Sequence, residues 1–60
     1  MTKNQVRKIR LARGLNQVEF GNVLGVSKTA VCNWERGAKE PSPDSIKKII
    51  QYCEQNNIKY

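Results

Sequence analysis

Sixty residues with eleven Lys and Arg against five Asp and Glu carry a formal charge of +6, which favours a polyanionic partner, either nucleic acid or an anionic membrane surface. So short a chain stands near the lower limit for a core that holds without staples, and leaves little room for a substrate pocket with its own catalytic shell. With no histidine, the two cysteines Cys32 and Cys53 are too few for a zinc site, and no apolar run is long enough for a membrane-spanning helix or a signal peptide. The expectation is one cytosolic or nucleoid-associated domain over residues 1–60, with no enzyme, cofactor, metal or small-molecule ligand called for. A disulfide is not expected in a reducing compartment.

In chain order, Thr2 stands three residues before Gln5, a capping-box spacing. The helix it opens carries Val6 and Ile9 on one face and stops before Gly14. Asn16 stands three residues before Glu19, a second capping signal, and Val18, Phe20, Val23 and Leu24 follow as an apolar face that ends at Gly25. Ser27 caps a third helix with Ala30, Val31 and Trp34 at spacings of three and four, closed by Gly37. The segment Lys39-Glu40-Pro41-Ser42-Pro43 is a loop, because prolines so close cannot both sit inside a helix. Ser42 with Pro43 at the first helical position opens a fourth helix, whose buried side is Ile46, Ile49, Ile50 and Cys53. The chain breaks at Asn56-Asn57, leaving Ile58 and Tyr60 to pack back or to pair with a partner. No segment reads as a strand. The fold class is an all-α bundle of four short helices, with at most a truncated fifth.

The stretch from Gln17 to Arg36 is the most specific. Gly25 tolerates the positive φ of a tight turn between two short helices, and Gly21 lets the second approach the first closely. Phe20, Leu24, Val26, Val31 and Trp34 fill the angle between them, which props the second helix outward to fit a major groove. An ordinary helical hairpin would not need a residue as small as glycine at both places.

Here the chain resembles the lambda-repressor and Cro-type helix-turn-helix family of phage and bacterial regulators. The residues that carry the resemblance are Ile9-Arg10, Gly14-Leu15-Asn16-Gln17, Glu19-Phe20-Gly21, Leu24-Gly25-Val26-Ser27, Val31, Trp34-Glu35-Arg36-Gly37 and Pro41. The pattern runs from about Val6 to Cys53, and its pieces in combination are far more specific than any one alone. The resemblance implies base contacts from Lys28, Thr29 and Asn33. Lys28 would donate to guanine O6 and N7, Thr29 would touch a thymine methyl, and Asn33 would pair bidentately with adenine. It implies phosphate contacts from Gln17, Ser27, Arg36 and Lys39, with Arg7 on the basic first helix. Asn16 either shares the phosphate contact or acts only as a cap. It also implies that Arg10 and Glu35 pair across the domain as a structural ion pair.

Relatives usually carry a fifth helix that builds a dimer contact, and this chain ends at Tyr60, short of one. Either the fourth helix and the tail form a reduced interface, or a monomer pairs on DNA. The expected function is a stand-alone, Cro-like transcriptional regulator, a repressor that binds double-stranded operator DNA as a homodimer. Two other readings stay open: an antitoxin-like protein-interaction module that binds DNA secondarily, and a non-specific basic nucleic-acid binder. For stacking on bases only Tyr52 and Tyr60 remain, since Trp34 reads as core. Leu11 faces solvent, either as an isolated surface leucine or as part of a partner patch. Cys53 reads as a small core residue and Cys32 as facing away from the core, near the DNA backbone.

Overall fold

Each helix starts where a side-chain oxygen accepts one of the backbone N–H groups that a helix leaves unpaired at its N-terminus. In the computed structural model, which describes residues 1–60, those starts define α1 (Lys3–Ala12), α2 (Gln17–Leu24), α3 (Lys28–Arg36) and α4 (Pro43–Gln55). Thr2 accepts from Gln5 N–H while the Gln5 side chain accepts from Thr2 N–H, and Asn16 and Glu19 repeat that reciprocal box at 2.8 and 2.9 Å. Ser27 Oγ accepts from Ala30 N–H, and Ser42 Oγ from Ser45 N–H. No strand forms. The bundle is all-α, as the spacing predicts.

Two side chains from every helix build the core: Val6 and Ile9, Phe20 and Leu24, Val31 and Trp34, Ile49 and Cys53. Met1, Leu15, Val26, Ala30, Tyr52 and Ile58 pack on its margin, and Pro41 is buried in the loop before α4. Tyr52 meets the Phe20 ring edge-on, with centroids 5.8 Å apart, a favoured aromatic geometry.

Two expected faces are narrower than periodicity suggests. Val18 and Val23 are about half exposed, because the close approach of α3 at Gly21 turns α2 so that only Phe20, Gly21 and Leu24 face inward. On α4 the contact of Tyr52 with Phe20 selects the stripe Ile49-Tyr52-Cys53, so Ile46 and Ile50 stay partly exposed and outside the main core. Leu11 is exposed, and Cys32, expected to face away from the core, is partly buried.

After α4, Asn57 adopts φ 55° and reverses the chain, so that Ile58 N–H donates to the Cys53 carbonyl at 2.9 Å. Ile58 thereby packs back on the core. Gln5 Nε2 donates to the Tyr60 carbonyl at 3.2 Å, tying the tail to the first turn of α1, while the Tyr60 side of the tail stays half exposed.

Candidate nucleic-acid interface

The turn between α2 and α3 is built on two glycines with different tasks. Gly25 closes α2 in the left-handed region at φ 73°, where a side chain would be strained. Gly21 accepts Val26 N–H at 2.8 Å, and a Cβ on it would stand 2.7 Å from the Val26 carbonyl oxygen and 3.3 Å from the Ser27 carbonyl carbon. The main chain that opens α3 therefore rests directly on the α2 backbone.

At the other end of α3, a part-buried ion pair fixes the last turn. Arg10 Nε and Nη2 donate to the two Glu35 carboxylate oxygens at 2.7 and 2.9 Å, and Arg10 Nη1 donates to the Leu15 carbonyl at 2.8 Å. The Arg10 and Glu35 side chains are only 12% and 7% exposed. Hydrogen bonding to Glu35 raises the Arg10 pKa above its ordinary value; partial burial opposes this and the carboxylate's charge adds to it. The guanidinium is thus charged at every accessible pH. One side chain joins α1, the loop before α2 and α3.

Held this way, α3 turns Lys28, Thr29 and Arg36 to the surface, with Ser27 at its cap and Asn33 partly exposed. Thr29 and Asn33 form one wall of a cleft of about 380 Å³, and Lys39, Glu40, Ser42 and Ser45 face them across it. Lys28 does not line this cleft; it occupies the first turn of α3, nearest the α2–α3 turn. The Asn33 main chain also carries the following turn: Ala38 N–H and Lys39 N–H donate to its carbonyl at 2.9 and 3.3 Å. The two polar walls are therefore joined through one residue.

The remaining phosphate candidates lie elsewhere. Asn16 and Gln17 sit at the start of α2, with Asn16 exposed and Gln17 partly so. The Asn16 oxygen is occupied as a cap and the Glu19 carboxylate accepts Asn16 N–H, so of Asn16 itself only the Nδ2 group is left to meet an anion. Arg7 is exposed on α1. One turn before it, Lys3 lays its stem against Gly37, where an added Cβ would meet Lys3 Cδ at 3.4 Å. In the sequence Lys3 is one basic residue of an acid-free first helix and reads as a solvated side chain ahead of a phosphate contact. The contact lays a basic side chain of α1 against the glycine that closes α3, and nothing in the spacing signals a neighbour that distant in the chain.

No group of three or more His, Cys, Asp or Glu converges as a metal site, and no helix is long and apolar enough to cross a membrane. Trp34 is buried, and Tyr52 is partly exposed with its ring packed edge-on against Phe20. Tyr60 is the one aromatic that is substantially exposed.

Comparison with known proteins agrees with this geometry. A helix-turn-helix family model matches residues 6–55. The chain is 31% identical over 52 residues to the cryptic phage CTXphi transcriptional repressor RstR of Vibrio cholerae, a match that covers 87% of this chain and 47% of that protein. The chain thus spans about half the length of the curated relative it matches. No solved structure matches it.

Proposed function

The chain belongs to the XRE/Cro-like helix-turn-helix family, whose fold is a regulatory DNA-binding module and not a catalytic domain, and from that premise we propose that it is a sequence-specific transcriptional repressor. It binds a pseudo-palindromic operator as a homodimer, with α3 of each copy in the major groove at half-sites about 34 Å apart. Lys28, Thr29 and Asn33 contact base edges. Asn16, Gln17, Ser27, Arg36, Lys39 and Arg7 contact phosphates. Occupying a promoter would exclude polymerase, in the cytoplasm of a bacterium or of a phage-infected cell.

The observation that carries this reading is the surface of α3. A helix of nine residues is marginal alone, yet here it is seated at one end on Gly21 and tied at the other through Glu35. Its outward side carries donors and a methyl group suited to base edges. Dimerisation is supported by Ile46 and Ile50, one turn apart on α4 and left partly exposed by the core.

Selection of bound sequences from a random duplex pool tests the proposal. A two-fold symmetric consensus is expected, together with a preferred duplex that survives excess random DNA. Binding with no preferred sequence would replace the reading by a non-specific basic binder. Co-purification with a second protein and no duplex preference would instead favour the interaction-module reading.

A further inference from the structure

Asn33 does not present a free amide. Arg36 Nη2 donates to Asn33 Oδ1 at 3.1 Å, and the direction of that amide is dictated by chemistry. A guanidinium carries donors only, so it can face the oxygen and not the NH2 group. The oxygen is thereby engaged, and both Nδ2 protons lie on the other side of the group. An asparagine reads adenine by giving one proton to N7 and accepting one from N6. With one of its two lone pairs given to a cation, the oxygen is a weaker acceptor for adenine N6 and the polarised NH2 group a stronger donor, and the base edge that matches two donors is guanine, whose N7 and O6 are adjacent acceptors.

We propose that Arg36 is a positioning residue for base recognition: it orients the Asn33 amide as a donor and turns its preference from adenine to guanine. The inference rests on the reading that α3 enters the major groove. In free solution an exposed pair three residues apart on a helix is weak, but water is excluded when the groove closes over it and the same bond strengthens. Arg36 keeps its other donors for a phosphate. Because the turn bearing Lys39 hangs on the Asn33 carbonyl, backbone engagement by Arg36 and Lys39 and base reading by Asn33 are mechanically one unit.

The test is selection from a random duplex pool at fixed salt with the wild type, Asn33→Ala, Arg36→Met and Arg36→Ala. Thermal melts of each variant check folding, which substitution at the exposed Arg36 should leave intact. Asn33→Ala identifies the base pair that Asn33 reads by flattening preference there; in the wild type that pair is expected to be guanine. In both Arg36 variants the freed amide should shift preference at that pair alone toward adenine, on the order of tenfold. If the Arg36 variants lower affinity evenly across sequences and leave that preference unchanged, Arg36 is only a phosphate contact and the proposal is overturned. It is also overturned if Asn33→Ala flattens no position. Failure of the underlying reading shows separately, as a wild type with no preferred sequence.

Discussion

Replacing Arg10 by alanine removes a side chain that touches three parts of the fold and, in the proposed complex, no DNA. The substitution leaves the Glu35 carboxylate, 7% exposed, without its cation, a loss of about 3–5 kcal/mol for a buried pair. The Leu15 carbonyl also loses its donor, and the two losses overlap because one guanidinium serves both. A domain of this length has in total roughly 3–9 kcal/mol of stability. At about 4–8 °C per kcal/mol, the melting temperature should fall by roughly 12–40 °C, and operator affinity with it as the folded fraction shrinks. Circular dichroism melts of Arg10→Ala, Arg10→Met and the double variant Arg10→Met with Glu35→Leu provide the assay. The double variant should recover most of the loss, because apolar groups of similar volume often replace a buried pair without penalty or with a gain of about 1–4 kcal/mol. A melting temperature for Arg10→Ala within a few degrees of wild type would refute this reasoning. So would a double variant no more stable than Arg10→Met, since the cost would then not lie in the unpaired carboxylate.

Gly21→Ala has two opposed effects: alanine gains up to about 1 kcal/mol of helix propensity, while contact with the Val26 carbonyl 2.7 Å away costs about 1–3 kcal/mol of overpacking. The melting temperature should fall, and a rise would show that the close approach is not restrictive. Burial, aided by the charge of Glu54, pushes the Cys53 thiol above its ordinary value near 9.0. The unfolded chain therefore ionises first as pH rises, so stability should hold below pH 9 and decline above it; urea titrations should show a shallower alkaline decline for Cys53→Ala, and parallel curves would exclude the thiol. For Lys39→Ala, binding titrations from 50 to 200 mM salt should show weaker affinity for all sequences and a salt slope reduced by about 1 per half-site; loss of base preference instead would make Lys39 a reader.

Most of the fold was legible because its punctuation is local. A cap such as Asn16 and its partner Glu19 lie three residues apart, and Ser42-Pro43 announces a helix start without reference to the rest of the chain. What failed was the direction of the faces. The pattern of α2 contains four apolar residues, and nothing within α2 says that α3 will approach at Gly21 and leave Val18 and Val23 outside. The same holds for Ile46 and Ile50, displaced from the core by the fit of Tyr52 to Phe20. For the candidate site, spacing did not carry the geometry that holds α3. No pattern across the separation of 25 positions from Arg10 to Glu35 indicates that they meet; only the family resemblance pointed there. The Asn33–Arg36 bond is a matter of rotamers, invisible to spacing even though three residues apart is a permissive distance.

These details bear on how so small a domain can hold a reading surface. Nine residues of α3 cannot fix their own conformation, so its orientation must come from contacts with the rest of the domain. Gly21 sets the height of its first turn, Arg10 ties its last turn to α1 and the α1–α2 loop, and the Asn33 carbonyl anchors the turn that leads away. Each contact is made by backbone or by a charged side chain with defined geometry, which constrains direction more tightly than apolar packing does. Specific binding needs that constraint, because each mismatched base pair is worth only about 1–3 kcal/mol, and a helix free to tilt would give much of that difference away. The core residues make the domain fold; the direction of α3 is set by Gly21, Arg10 and Glu35.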